Sequence, residues 1–179
     1  MSTFDFGSGP VPAHRHRNGG GWVADTAIVT DAVYVGPEAR VYGDARVFGA
    51  AQVYGAPMVY GDARVFGGAL VYGAARVFGT ARVFGTAQVC GTAQVYGDAQ
   101  VYGDAWIYGA ARVYGDAQVF GGAWIYGAAR VYGDAQVYGD AQVFGAAQVS
   151  SAVDILTGHA GAHSWAAHRC SRGGRLRYG

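Results

Sequence analysis

A six-residue pattern of apolar and polar positions runs through most of the chain. From Val41 to Gln148 each hexad has Val or Ile first, almost always an aromatic residue second, Gly third and a small residue fifth, as in VYGDAR and VFGAAQ. This period fits neither an amphipathic helix nor a heptad. Short repeats of fixed length predict a solenoid, in which each unit buries its apolar side only against its neighbours.

Alternation along an extended chain indicates which side chains point inward. The Val and the preceding Ala fall on one side of the strand, whereas the aromatic residue and the Arg, Gln or Trp before Val fall on the other. Because Arg and Gln are costly to bury unpaired, we expect Val and Ala in the core and the aromatic rings outside. The Gly is then predicted at a corner with positive φ.

An eighteen-residue register lies above the six-residue one. Trp106 and Trp124 are eighteen residues apart, and columns at this spacing differ in character. Three hexads therefore make one coil, and residues 23–155 are predicted to form an all-β, triangular parallel β-solenoid of about seven coils, roughly 35 Å long. One corner column is almost entirely acidic (Asp44, Asp62, Thr80, Asp98, Asp116, Asp134), and another has no charge (Ala56, Ala74, Thr92, Ala110, Ala128, Ala146).

The V-x-x-x-A-x pattern resembles the hexapeptide repeat of left-handed β-helix proteins. Its Tyr-rich form resembles the YGDA and YGNA repeats of many bacterial and phage proteins. The flanking sequences GSGPVPAHRHRNGGGWVADTA and VDILTG are also similar to that group, so the resemblance covers nearly the whole chain. It implies a single-stranded left-handed β-helix, although parallel crossovers in general are right-handed.

Three segments follow from where the repeat begins and ends. Residues 1–22 are expected to be an irregular N-terminal cap or arm, residues 23–155 the β-helix, and residues 156–179 an Arg/His/Gly-rich C-terminal cap or tail. Because a solenoid exposes an unpaired strand edge at each end, both terminal segments are expected to cover such edges.

Charge and hydropathy narrow the classes of partner. The chain has 13 basic residues, all Arg, and 12 acidic ones, but residues 23–155 are net acidic. This balance argues against nucleic acid as a partner, although the basic tail could meet an acidic partner.

No apolar run approaches the ~18 residues of a membrane span, and residues 1–22 lack the apolar region of a secretory signal. The expected location is the cytoplasm, with a phage or virion origin left open.

Enzymatic function is the alternative that the resemblance brings. The best-known relatives in the resembled family are acyltransferases with a catalytic His, and γ-type carbonic anhydrases of this fold use His ligands for zinc. Here no His lies between His16 and His159, and no insertion interrupts residues 41–148. We predict a non-enzymatic protein that needs no cofactor, with an acyltransferase-like or degenerate acyltransferase protein as the alternative.

A few isolated residues are weak candidates for metal binding or thiol chemistry. His14 and His16 are separated by one residue, but a simple N-terminal arm is favoured. Cys90 occupies an outward aromatic column, which predicts a partly exposed thiol with nothing nearby in sequence to activate it. The tail carries possible zinc ligands, although a cap with scattered His is favoured: His159, His163, His168 and Cys170.

The outward aromatic rings are the main candidate binding surface. In-register rings stabilise neighbouring strands, yet three long apolar ladders exceed the patch expected on a soluble monomer. We expect self-association into a homotrimer or filament, with binding of a protein or glycan surface as a further possibility. The selected residues are Tyr96, Tyr114, Tyr132, Trp106, Trp124, Tyr102, Phe120, Tyr138, Tyr108 and Tyr126.

Overall fold

The computed structural model describes residues 2–150 together with the backbone of residues 159–160. Within this part of the chain, regular structure consists of β-strands alone. Each hexad contributes one short strand, usually the Val and the residue before it, because the Gly that follows turns the chain. No helix among these residues is long and apolar enough to cross a membrane.

The strands form three sheets, one on each side of the coil. Sheet 1 has the order β1 (Thr3–Asp5), β2 (Pro10–Arg15), β3 (Trp22–Ala24), β6 (Arg40–Val41), β9 (Met58–Val59), β12 (Arg76–Val77), β15 (Gln94–Val95), β18 (Arg112–Val113), β21 (Arg130–Val131) and β24 (Gln148–Val149). Sheet 2 contains β4 (Ile28–Val29), β7 (Arg46–Val47), β10 (Arg64–Val65), β13 (Arg82–Val83), β16 (Gln100–Val101), β19 (Gln118–Val119) and β22 (Gln136–Val137). Sheet 3 contains β5 (Tyr34–Val35), β8 (Gln52–Gly55), β11 (Leu70–Gly73), β14 (Gln88–Val89), β17 (Trp106–Ile107), β20 (Trp124–Ile125), β23 (Gln142–Val143) and β25 (His159–Ala160).

Strands of successive coils pair in parallel with the predicted eighteen-residue register. In sheet 2, for example, Arg64 pairs with both Arg46 and Arg82. The prediction of an all-β solenoid with eighteen residues per coil and about seven coils is therefore confirmed. Left-handedness stays a prediction from the resemblance.

The core is a narrow column of Val and Ala. From residue 33 to residue 147, Val41, Ala45 and their counterparts have no exposed surface, and Ile107 and Ile125 replace Val in sheet 3. Alternation therefore predicted the inward and outward positions correctly.

The corners depend on glycine, as predicted. Gly97 has a φ of 69°, and a Cβ placed there would lie 2.9 Å from the backbone nitrogen of Gly115 in the next coil. L-residues with a side chain rarely adopt this conformation, and the stacked backbone leaves no room for one. The third position of the hexad is thus fixed by geometry.

The N-terminal segment is more regular than expected. Residues 1–22, which we predicted to be irregular, contain the antiparallel pair β1–β2, and β2 continues antiparallel onto β3. Phe4 stacks on Trp22, and Phe6 is almost completely buried, so the hairpin has apolar contacts of its own. This hairpin covers the first edge of sheet 1.

The first edges of the other two sheets differ from each other. In sheet 3, the Val35 N–H donates to the Asn18 carbonyl and the Gly21 N–H donates to the Val35 carbonyl, both at 2.9 Å. In sheet 2, β4 is the first strand, and no described strand pairs with its outer edge. At the other end, β25 pairs with β23. The rest of the predicted C-terminal tail lies outside the described residues.

Candidate interaction surface

Outward aromatic rings form continuous stacks on sheets 1 and 2. Consecutive rings of the coils have centroids 4.8–5.1 Å apart and planes within 6° of parallel. This spacing equals the distance between neighbouring strands, so the register of the sheet sets the stack. The sheet 1 ladder consists of Phe6, Tyr42, Tyr60, Phe78, Tyr96, Tyr114 and Tyr132, and the sheet 2 ladder of Phe48, Phe66, Phe84, Tyr102, Phe120 and Tyr138.

Stacking at this distance covers the ring faces. Each interior ring has a neighbour on both sides, and in these two ladders only Phe48, which is 38% exposed, has a large exposed surface. A sugar or another flat ligand needs a free ring face, whereas these ladders present mainly ring edges. The ladders of sheets 1 and 2 therefore have the geometry of structural stacks.

The sheet 3 ladder is interrupted at Cys90. Tyr54 stacks on Tyr72, and Tyr108 stacks on Tyr126, but the intervening coil has no ring. The prediction of a partly exposed thiol is wrong, because Cys90 is only 9% exposed. A cysteine is shorter than the neighbouring rings, which enclose it.

Two tryptophans lie beside this interruption. Trp106 contacts Tyr108 edge-on at 5.7 Å and Trp124 edge-on at 5.3 Å between ring centroids. The indole of Trp124 is 39% exposed, and the Trp106 Nε1 is buried without a hydrogen-bond partner among the described residues. Unlike the stacked rings of sheets 1 and 2, the Trp124 indole crosses its neighbours at a steep angle, which leaves apolar surface open to solvent.

Tyr72 contacts both Gln88 and Cys90 in the next coil of sheet 3. Its hydroxyl donates to Oε1 of Gln88 at 3.2 Å. Its interaction with Cys90 and then its burial raise the pKa of Tyr72 to about 12. Tyr126 donates in the same way to Gln142 at 3.4 Å in the next coil. These contacts hold the outer side chains of sheet 3 in a fixed arrangement.

The outer side of sheet 3 carries no charge, which distinguishes it from the other two. Sheet 1 carries Arg76, Arg112 and Arg130, and sheet 2 carries a column of three further Arg. We call the outer side of sheet 3 the tryptophan face. Its outward residues are Tyr34, Gln52, Tyr54, Leu70, Tyr72, Gln88, Cys90, Trp106, Tyr108, Trp124, Tyr126, Gln142 and Phe144.

The two rims of the tryptophan face differ in charge. Rim A is the corner between sheets 2 and 3, and its exposed acidic residues are Asp31, Asp104 and Asp140. Rim B is the corner between sheets 3 and 1. Its charged corner residue in the described part of the chain is the exposed Glu38 of the first coil, and the first outward residues beyond it include Arg40, Arg76, Arg112 and Arg130. From the second coil on, the corner residues are Ala50, Gly68, Thr86, Asp104, Gly122 and Asp140 on rim A, and Ala56, Ala74, Thr92, Ala110, Ala128 and Ala146 on rim B.

The ten binding residues chosen from the sequence do not form one surface. They are distributed over three faces that point in different directions, and only Trp106, Trp124, Tyr108 and Tyr126 lie on the tryptophan face. Sequence reasoning did not select Leu70 or the other remaining members of this face. The eighteen-residue columns contained that information, because they show which columns lack charge.

Two histidines, His14 and His16, lie at the N-terminal hairpin. His14 Nδ1 is 2.8 Å from Asp25 Oδ1, and both side chains are about half exposed. His16 is 5% exposed, and its Nδ1 accepts from the Asn18 N–H at 3.2 Å. An open apolar groove of about 410 Å³ lies beside Asp25 and is lined by Phe6, Val11 and Tyr42, among others.

Within the described part of the chain, no three His, Cys, Asp or Glu residues are grouped as metal ligands. Of the predicted zinc candidates, only the backbone of His159 is described, and it lies in β25. His163, His168 and Cys170 lie outside the described residues.

Comparison with known proteins gives one match. A family model described as the YdcK beta solenoid repeat matches residues 39–55, 59–73, 93–109, 99–115 and 135–151. Together with the three stacked sheets, these matches make the chain a β-solenoid repeat protein. The matched segments are similar to the YdcK repeat. Neither the curated proteins nor the solved structures include a match.

Proposed function

We propose that the protein is a non-enzymatic β-solenoid that associates with copies of itself through the tryptophan face. The observation that carries this proposal is the 39% exposure of Trp124 on a sheet face without charge. Depletion of charge and enrichment of aromatic residues characterise the central part of protein–protein interfaces.

The size of the face suits a pair of copies. Six coils and one side of six residues give a surface of roughly 30 by 20 Å, or about 600 Å² per copy. Two such faces would bury about 1,200 Å², the lower limit for a stable specific interface. A single uncharged face favours a two-fold pair over the trimer or filament that we expected from the sequence.

The alternatives receive less support. Glycan binding by stacking would need free ring faces, which the ladders of sheets 1 and 2 do not offer. An acyltransferase would need a His beside a substrate cleft, and the coils from residue 23 to residue 150 contain no His. His14 is held by Asp25 on the surface of the hairpin, away from the tryptophan face.

Light scattering behind a sizing column tests the proposal. We expect a particle of twice the 18.6 kDa chain mass, and loss of that particle in Trp124→Arg. Gln118→Arg is the matched control, because it places the same charge at the equivalent hexad position on sheet 2. A wild-type monomer at micromolar concentration, or a dimer that persists unchanged in Trp124→Arg, would refute the proposal.

A further inference from the structure

We infer that the two copies pair with their solenoid axes parallel, in register, about a two-fold axis that runs along the interface. This inference rests on the proposed self-association, and it adds the orientation of the copies and the charged contacts at their rims. Its basis is the opposite net charge on the two sides of the tryptophan face, with carboxylates on rim A and mainly arginines just beyond rim B.

The symmetry of the pair decides which rims meet. If two identical faces pack with their axes parallel, rim A of one copy lies against rim B of the other, on both sides. If the axes are antiparallel, rim A meets rim A and rim B meets rim B. Both statements follow from two-fold symmetry and hold for either hand of the coil.

Charge selects between these two arrangements. The parallel pair brings Asp104 and Asp140 of one copy towards Arg112 and Arg130 of the other, and at the first coil it brings Asp31 towards both Glu38 and Arg40. The antiparallel pair brings carboxylates towards carboxylates and guanidinium groups towards guanidinium groups. Like charges across an interface are costly, so the parallel pair is favoured.

The acidic and basic residues that would meet also lie at similar heights along the solenoid axis. Asp104 precedes Arg112 by eight residues, and Arg130 precedes Asp140 by ten. At ~4.8 Å per eighteen-residue coil, each pair is offset by only about 2–3 Å when the copies are in register. Because this axis exchanges the two rims, Trp106 would then face Tyr108 of the partner copy, and Trp124 would face Tyr126.

The charged groups are free to make these contacts. All four side chains are exposed, and the ion pair within the described residues, between His14 and Asp25, involves none of them. Asp104 accepts a hydrogen bond from the Thr86 hydroxyl, which positions its carboxylate at rim A. On rim B the corner residues Ala110 and Ala128 are small, so a long Arg side chain can extend over the corner.

Charge exchange tests the inference. Arg112→Asp with Arg130→Asp makes both rims acidic, and Asp104→Arg with Asp140→Arg makes both rims basic. We expect each double variant to dimerise at least tenfold more weakly than the wild type, and an equimolar mixture of the two to recover the dimer as a heterodimer. Arg46→Asp with Arg82→Asp is the control, since it changes charge equally on sheet 2.

The outcomes separate the inference from the proposed function. A wild-type dimer that dissociates in Trp124→Arg but is unchanged in both rim variants would overturn the parallel arrangement and leave self-association standing. A wild-type monomer, or a dimer insensitive to Trp124→Arg, would overturn both. Circular dichroism and the single variants Arg130→Asp and Asp140→Arg guard against misfolding, and each single variant should show a smaller effect in the same direction.

Discussion

Phe6 stacks on Tyr42 with ring centroids 4.8 Å apart, in the place where the first coil lacks a ring of its own. The residue eighteen positions before Tyr42 is Ala24, which is too small to extend the ladder. The hairpin therefore supplies the aromatic ring that the repeat lacks in the first coil. As a result, the sheet 1 ladder begins one coil before the first aromatic residue of the repeat.

We predict that Phe6→Ser detaches the hairpin and destabilises the first coil. Loss of a buried ring costs roughly 3 kcal/mol, and here it also removes the contacts to Tyr42 and Phe4. Hydrogen exchange should show faster exchange of the amides of β2 and β3. Val11→Ser is the control, because that side chain is exposed and lies on the same hairpin. Equal exchange in the two variants would contradict this role.

The arginine column of sheet 2 is predicted to reduce stability. Arg64 lies directly between Arg46 and Arg82, and no carboxylate pairs with any of the three among the described residues. Like charges opposite one another on neighbouring strands are unfavourable. Arg64→Gln should therefore stabilise the protein by a few tenths of a kcal/mol at low ionic strength, and the gain should fall as salt is added.

Arg76→Gln is the matched control for this effect. Arg76 has the same exposed hexad position, but its neighbours in sheet 1 are Met58 and Gln94. Its replacement should give no comparable stabilisation in chemical denaturation. A gain of equal size for both variants would show that glutamine is simply preferred at this position, without repulsion between arginines.

The architecture could be read from the sequence because each part of it depends on local rules. The Val and Ala positions, the corner glycines and the eighteen-residue register all repeat seven times, so the pattern is redundant. The position of Phe6 could not be read in this way. Its stacking depends on how a non-repeating hairpin folds back onto the coil, and no periodicity carries that information.

The candidate surface was only partly predictable for a related reason. Trp106 and Trp124 were selected from the sequence, but rings on three different faces were grouped with them. Exposure of an aromatic residue depends on whether the next coil also has a ring, as the covered stack at Tyr114 and the exposed indole of Trp124 show. Cys90 was misjudged because its burial comes from larger neighbours in the same column.

Two corner glycines allow a comparison between a residue with positive φ and little room for a Cβ and a residue with neither restriction. Gly97→Ala should destabilise the fold by more than 1 kcal/mol, because the residue has positive φ and its Cβ would meet the backbone of Gly115. Gly68→Ala is the control: that glycine lacks positive φ, and an added Cβ would make only ordinary contacts, the nearest at 3.6 Å. It should be neutral or slightly stabilising in thermal unfolding. Equal losses for both variants would contradict this account.

Stability is predicted to decrease in alkaline solution. The interaction with Cys90 and burial raise the pKa of Tyr72 from its ordinary value of 10.0 to about 12. Burial also raises the pKa of Tyr42 and Tyr114. The folded protein therefore favours the neutral phenol, so this contribution is complete below about pH 10 and is lost as the pH rises towards 12.

Tyrosinate absorbance measured during a pH titration checks this assignment. Cys90→Ala should lower the pKa of Tyr72 and shift the last part of the titration to lower pH, whereas Tyr72→Phe should remove that part. Unfolding followed by circular dichroism should accompany the final phase. An identical titration curve for wild type and Cys90→Ala would show that the thiol has no influence on Tyr72.

Variants of the sheet 1 ladder and of the tryptophan face should distinguish a role in stability from a role in self-association. Tyr96, Tyr114 and Tyr132 stack on one another in sheet 1, so their joint replacement by Ser removes consecutive ring contacts of roughly 0.2–1 kcal/mol each. Because this ladder lies on a different sheet from Trp124, we expect a lower unfolding midpoint with an unchanged particle mass.

Trp124→Arg is expected to give the opposite result. It should lower the particle mass, while the isolated chain unfolds at nearly the same denaturant concentration when measured below the association range. Loss of the dimer in the Tyr triple variant under conditions where the chain remains folded would mean that sheet 1 also belongs to the interface. That result would require a larger assembly than a pair, since two faces of each copy would then be occupied.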